Sequence, residues 1–209
     1  MQHVVPHHFE SAEQAFESSK LGLWLFLVTE ILLFGGLFVT YIIYRALYPE
    51  MFHEASHHLN KVLGAVNTVV LICSSFSMAL AVDRTRQNDS AKANQYLLIT
   101  IFFAAMFMVI KYVEYTHKFH EGLLPGGYFT YQGIDHPRVQ LFFSLYFMMT
   151  GLHGIHVLAG MGILTWLLIR SNRGHFSSQY YTPVELGGIY WHLVDLIWIY
   201  LFPLLYLIG

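Results

Sequence analysis

The first long apolar stretch of the chain is LGLWLFLVTEILLFGGLFVTYIIY, at about residues 21–44. It holds one acidic side chain, Glu30, and no basic one. Its length is enough to cross the hydrocarbon core of a bilayer, which takes about 20 apolar residues in a helix. Its apolar residues are continuous rather than alternating, and this excludes a membrane β-strand. The stretch therefore predicts a transmembrane helix.

Four more stretches have the same character. They run over about residues 62–82, 96–116, 139–169 and 184–208. The fold class that they predict is all-α: a polytopic membrane protein built as a bundle of five transmembrane helices. We expect residues 1–20 to form a polar N-terminal tail and residues 21–209 to form a single domain.

Composition agrees with a membrane protein. The chain has 209 residues, of which 56% are hydrophobic and 11% charged, whereas soluble domains carry about 25% charged residues. A net charge of −2 gives no indication of nucleic-acid binding. One cysteine, Cys73, excludes an intrachain disulfide and a multi-cysteine metal centre. The tail has no apolar core, so we do not expect a cleavable signal peptide.

The distribution of Lys and Arg predicts the orientation, because cytoplasmic loops carry the excess. With the N-terminus inside, six of the eleven lie in the cytoplasm and five lie outside. The margin grows if Lys111, which lies within the third stretch, is discounted as a side chain that reaches out to the interface. We expect the N-terminus inside and the C-terminus outside.

Besides Lys111, six ionisable residues lie in the interior of the apolar stretches. A charge at the bilayer centre costs about 2.5–3.5 kcal/mol on insertion scales, so each of them needs a role in helix packing or in function. They are Glu30, Glu114, His153, His156, His192 and Asp195.

Glu30 lies near the middle of its helix, where it is either a proton-active carboxyl or a structural group bonded to a neighbouring helix; the residue alone does not separate the two. Glu114 follows Lys111 by three residues, so they share a helix face and predict an ion pair near the membrane interface. We expect Asn67, in the second stretch, to bridge two helices.

The two histidine-bearing stretches allow two interpretations. His153 and His156 are three residues apart, as are His192 and Asp195. Such a group can bind a metal or ligate a haem, or it can form a hydrogen-bond network that ties the fifth helix to the fourth. The spacing alone is weak evidence for a ligand set, and we favour the network.

Three polar segments outside the stretches have weaker indications. Arg170, Arg173 and His175 follow the fourth stretch and are candidates to hold anionic lipid headgroups, with ordinary positive-inside bias as the alternative. Six histidines in the polar segments indicate at most adventitious metal binding, and we expect no physiological metal site. These are His3, His7, His8, His53, His57 and His58.

Six segments together resemble subunit III of the haem-copper oxidases, the cytochrome c oxidase subunit 3 family, in its five-helix bacterial form. The most specific are TGLHGIHVLAG at 150–160 and YWHLVDLIW at 190–198. TEILLFGGLF at 29–38, AVNTVVLICSS at 65–75 and VEY at 113–115 are similar to further family segments, in the same order. RSNRGHF at 170–176 resembles a basic, lipid-contacting stretch of the family.

The resemblance implies an accessory, non-catalytic subunit of a proton-pumping terminal oxidase that reduces oxygen to water. It implies that the haems and copper belong to partner subunits, so that His153, His156 and His192 are network residues and not ligands. Glu30 is then the buried carboxyl beside a lipid cleft and the proton path. The implied partners are subunit I as the main contact, subunit II, a small subunit IV, bound phospholipids and a respiratory supercomplex, in the bacterial cytoplasmic membrane.

One departure from the longer family form concerns the cleft. That form has two additional N-terminal helices, which make one wall of the lipid cleft, whereas here a polar tail leads straight to the Glu30 helix. Rival interpretations are the same fold on a nitric oxide reductase-type partner and a stand-alone haem or metal enzyme. A small transporter is disfavoured, because the chain has neither internal repeats nor broken helices.

Overall fold

The computed structural model describes residues 12–131, 136 and 138–208. In this part of the chain six α-helices follow one another. They are α1 (Ala12–Leu47), α2 (Pro49–Ser56), α3 (Lys61–Arg86), α4 (Ser90–His120), α5 (Val139–Asn172) and α6 (Thr182–Phe202). A π-helical turn, Pro203–Leu207, continues α6.

Five of these helices are long and apolar enough to cross a membrane: α1, α3, α4, α5, and α6 with its π-helical turn. This confirms the all-α bundle of five transmembrane helices. The predicted orientation and the predicted single domain stay predictions. Most of the predicted tail, with His3, His7 and His8, lies outside the described residues.

The helices are longer than the apolar stretches that predicted them. Helix α1 begins at Ala12, inside the segment expected to be a polar tail, and α4 runs on to His120. Residues such as Glu17 and Lys20 are good helix formers, so the helix continues where the apolar residues stop. The connection at 45–61 also contains a helix, α2, which begins with Pro49 and buries Met51, Phe52 and Ala55.

The centre of the bundle is formed by α3, α4, α5 and α6. Helix α6 packs between α3 and α5, and α3 pairs with α4 along its length. Trp191 and Trp198 of α6 are fully buried there. Gly160 of α5 makes room for Trp191, because a Cβ on this glycine would lie 2.7 Å from a ring carbon of the tryptophan. Helix α1 lies against α5 and α6, and much of its apolar surface remains exposed.

Polar contacts hold one end of the bundle together. The Arg86 guanidinium at the end of α3 lies 2.8 Å from the Glu185 carboxylate of α6. The Asn94 amide of α4 donates to the Asn172 side chain at the end of α5, at 2.7 Å. Asp89 caps α4 and accepts from the Lys92 backbone N–H. The ends of four helices therefore meet on one side.

Candidate functional site

A carboxyl and an imidazole meet between α1 and α5, inside the membrane-spanning part of the bundle. Oε2 of Glu30 lies 2.8 Å from Nε2 of His156. The contact is close enough for an ion pair when the imidazole is protonated, although it lacks the alignment of a hydrogen bond. The two side chains are 12% and 15% exposed. Glu30 is thus paired with a neighbouring helix, one of the two roles that the sequence left open.

The surroundings of His156 orient its ring. Its Nδ1 lies 2.8 Å from the Leu152 carbonyl oxygen one turn earlier, so Nδ1 is placed to donate and Nε2 is turned towards Glu30. The Phe34 ring packs edge-on against the imidazole, with 5.4 Å between the ring centroids. The Tyr190 hydroxyl donates to the His156 carbonyl oxygen at 3.1 Å and joins α6 to the same place.

A second polar cluster lies between α4, α5 and the π-helical turn. Nζ of Lys111 donates to Oε2 of Glu114 at 2.8 Å, which confirms the predicted pair. Tyr206 and Tyr146 donate to Oε1 of Glu114 at 2.7 and 3.0 Å. Glu114 is only 3% exposed, and its expected depth near the membrane interface stays a prediction. Lys111 is discounted as a side chain that reaches outwards, because its ammonium is enclosed by these partners.

His153 occupies a different environment from His156. Its ring packs between Phe107 and Trp198, with centroid distances of 5.6 and 5.3 Å, and it is 1% exposed. Neither ring nitrogen has a hydrogen-bond partner among the described residues. The expectation that His153 belongs to a hydrogen-bond network is therefore wrong for the described residues. Residues three apart still differ by about 60° in direction around a helix, and here that difference places one ring in the core and the other towards α1.

His192 and Asp195 contact α3 rather than α5. Nδ1 of His192 lies 2.6 Å from Oγ of Ser75, and the Asp195 carboxyl lies beside the same hydroxyl. The prediction that these residues tie the fifth helix to the fourth is therefore wrong. Helix α6 packs between two neighbours, and this face of it meets α3, while Tyr190 makes the polar contact with α5.

Asn67 does not bridge two helices. It is fully buried, and its amide oxygen and nitrogen have no hydrogen-bond partner among the described residues. Near Asn67, polar contacts of α3 with α6 are made instead by Thr68, which accepts from Nε1 of Trp198, and by Ser74, which accepts from Nε1 of Trp191. Each residue is turned about 100° from the one before it, so Thr68 faces α6 where Asn67 does not.

The basic residues at the end of α5 lie where the helix ends meet. The Arg170 guanidinium stands 5.2 Å from the centroid of the Trp166 ring, and Nδ1 of His175 lies 3.2 Å from the Arg170 carbonyl oxygen. Arg173 is exposed. Neither arginine has a carboxylate partner among residues 12–131, 136 and 138–208, whereas Arg86 at the same end is paired.

The comparison with protein families covers nearly the whole chain. The model of the family "Cytochrome c oxidase subunit III" matches residues 6–209. The chain belongs to the cytochrome c oxidase subunit III family. All the polar contacts described above lie within the matched range.

The alignments with curated relatives cover most of each relative as well as most of this subunit III family member. Cytochrome c oxidase subunit 3 of Synechocystis sp. is 37% identical over 188 residues, which are 90% of this chain and 74% of the relative. That of Thermostichus vulcanus is 34% identical over 189 residues, 90% of this chain and 86% of the relative. Quinol oxidase subunit 3 of Bacillus subtilis is 28% identical over 194 residues, with shares of 90% and 86%.

These findings confirm the resemblance noted in the sequence. This subunit III family member is an accessory subunit of an oxygen-reducing respiratory oxidase, and so a member of a complex. Its five apolar helices make it a multi-pass membrane protein.

The sequence did not reveal most of the side chains that bond to the buried polar residues of this subunit III family member. His192 is bonded by Ser75. Glu114 accepts hydrogen bonds from Tyr146 and Tyr206. Lys118, which is only 2% exposed, donates to the His58 carbonyl oxygen at 3.0 Å. A signal was available for Lys118: it lies seven residues after Lys111, and therefore close to the same face of α4. The tyrosines carried no such signal, because aromatic residues are common in membrane helices.

Proposed function

We propose that this chain packs against the catalytic subunit I of a proton-pumping haem-copper oxidase and supports its proton uptake and its stability during turnover. Electrons from cytochrome c or quinol would reduce oxygen at haems and copper held by partner subunits. Subunit II, a small subunit IV and a respiratory supercomplex are the further proposed contacts. The proposed location is the bacterial cytoplasmic membrane.

The state of the membrane histidines supports a non-catalytic role. His153 is enclosed by two aromatic rings. His156 is engaged by Glu30 and by the Leu152 carbonyl oxygen, and His192 by Ser75. A haem or a metal would have to displace these contacts, so the three side chains favour holding helices together over ligating a cofactor.

The contact between Glu30 and His156 is the observation that carries the proposal. A carboxyl and an imidazole 2.8 Å apart are close enough to exchange a proton. The carboxylate and imidazolium that such a transfer leaves behind would remain adjacent to each other. Intramembrane ionisable residues commonly mark proton relays. Both side chains keep some exposure beside a lightly packed helix, so the pair lies close to the surface on which lipid or a partner subunit would pack.

The exposed surface of α1 and the free arginines support bound phospholipid. Large apolar residues line α1 on the side away from α5 and α6 and need lipid tails or a partner's helix against them. Arg170 and Arg173 lack carboxylate partners among the described residues, so a headgroup phosphate would supply the missing anion. The exposed apolar residues of α1 include Leu21, Trp24, Leu25, Val28, Leu32 and Val39.

The functional test is Glu30→Gln in the assembled oxidase. We expect haem content and the initial rate of oxygen reduction to stay close to the wild type, while the activity decays sooner during continuous turnover. The matched control is Glu17→Gln, which removes the same charge from an exposed position of α1 and should not change the decay. Immediate and complete loss of activity in a fully assembled complex would contradict the proposal.

The partner test is gentle solubilisation of the native membrane, followed by identification of the subunits that co-purify with this chain and by an optical spectrum. A catalytic subunit with haem and copper is expected. A nitric oxide reductase-type partner would overturn the assignment to an oxidase. Stoichiometric haem in the chain stripped of every partner, lost on His153→Ala, would overturn the non-catalytic role.

A further inference from the structure

The short helix α2 presents two histidines with converging side chains. His53 and His57 are exposed, and their Nε2 atoms lie 3.3 Å apart. The rings are nearly perpendicular, at 84°, with centroids 4.7 Å apart. The residues between them complete the pattern HEASH, at 53–57.

From this geometry we propose that His53 and His57 form a binding site for a divalent transition metal ion, with Zn²⁺ as the best fit. Zinc binds imidazole nitrogen at about 2.0–2.1 Å in a tetrahedral site, which places two such nitrogens about 3.3–3.4 Å apart. The pattern H-E-x-x-H on a helix is known to put two histidines on one face for zinc. The observed separation therefore matches the distance between two imidazole nitrogens bound to one tetrahedral ion.

The surrounding structure holds the pair in place. Met51, Phe52 and Ala55 anchor α2 in the core. The Ser56 hydroxyl donates to the His53 carbonyl oxygen at 2.8 Å. At the close contact one Nε2–H donates to the other Nε2, and metal binding would leave the proton of each ring on Nδ1. A bound ion would tie the last turn of α2 to His57, where the helix ends.

The donor set defines the kind of site. The described residues contain no group of three or more His, Cys, Asp or Glu side chains placed to hold a metal. Water would complete the coordination of an ion bound by the two imidazoles. Glu54 follows His53 in the sequence and is not counted as a ligand. The site is therefore a two-histidine surface clip rather than a protease centre, and it departs from the expectation that the polar-segment histidines have no metal role.

The experiment is calorimetric titration of the full-length chain in detergent with Zn²⁺. All variants are made in a His3, His7 and His8→Ala background, which removes the histidines of the N-terminal segment. We expect one ion per chain, and at least about tenfold weaker binding in His53→Ala and in His57→Ala, since even the loss of an outer-shell partner costs 10–100-fold. His120→Ala, at an exposed histidine of α4, is the matched control and should bind as the background does.

A second measurement separates a built site from chance binding. Co²⁺ in place of Zn²⁺ should give the visible absorption of a tetrahedral ion, which both single variants abolish, while circular dichroism shows that their helix content is retained. Equal zinc binding by the background and by both variants, or equal weakening by His120→Ala, would mean an adventitious ion only and would overturn the proposal.

Discussion

Oε2 of Glu30 in α1 lies 2.8 Å from Nε2 of His156 in α5. Helix α1 has few buried apolar residues with which to hold its position, since Leu27, Phe34 and Tyr41 are the buried hydrophobic ones among those described. A polar contact between helices contributes little in a membrane on average. Where apolar packing is this sparse, however, the contact between Glu30 and His156 accounts for a larger share of what holds α1 to the bundle.

Glu30→Gln and His156→Ala should each weaken the attachment of α1. Interhelical polar contacts in membranes are worth about 0.6 kcal/mol on average and at most about 1.7 kcal/mol. Hydrogen exchange along α1 measures the loosening, and the double variant gives the coupling. Thr29→Ala is the control, because the Thr29 hydroxyl bonds to the Phe26 carbonyl oxygen of its own helix. Fully additive single effects would show that the two side chains do not interact.

The ion pair of Lys111 and Glu114 should be sensitive to the loss of one partner. Lys111→Met leaves a buried carboxylate without its cation, and breaking a buried pair in this way costs about 3–5 kcal/mol. The double variant Lys111→Met/Glu114→Leu should recover much of that loss, because no unpaired charge remains. Unfolding titrations in detergent compare the three proteins. A double variant no more stable than Lys111→Met would contradict this account.

Gly160→Ala should destabilise the contact between α5 and α6. The added Cβ would lie 2.7 and 2.8 Å from two ring carbons of Trp191, and this ring is fully buried and cannot move aside freely. Overpacking of this kind costs about 1–3 kcal/mol. Gly162→Ala, in the same helix, meets nothing within 4 Å and serves as the control in the same unfolding experiment. Equal stability of the two variants would be inconsistent with the close approach.

Asp89, in the turn before α4, should titrate below its ordinary pKa of 3.8. The hydrogen bonds that its carboxylate accepts from the Lys92 side chain and backbone N–H hold the pKa down. Because the folded value is below the unfolded one, the carboxylate stabilises the native turn above the ordinary pKa, and this is lost as the pH falls through the lowered value. Carbon-13 NMR of the Asp89 carboxyl follows the titration. Lys92→Ala should raise the midpoint, and an unchanged midpoint would exclude this cause.

Prediction from sequence succeeded where a pattern is local and failed where it needs a partner. Lys111 and Glu114 lie on one helix, so their spacing was enough to predict the pair. His192 and Glu30 depend on which helix lies opposite, and the sequence named no helix for Glu30 and the wrong one for His192. Asn67 was given a partner by its polarity alone, yet Thr68 makes the contact with α6.

By itself the sequence determined that the chain crosses a membrane five times as helices, because in hydrocarbon every backbone polar group has to be satisfied within its own apolar segment. It also held the motifs by which the family was recognised. Only the tertiary structure decided that His156 meets Glu30 and that His153 is enclosed by rings. Those outcomes depend on the rotation of each helix against its neighbours, which packing sets and no single segment encodes.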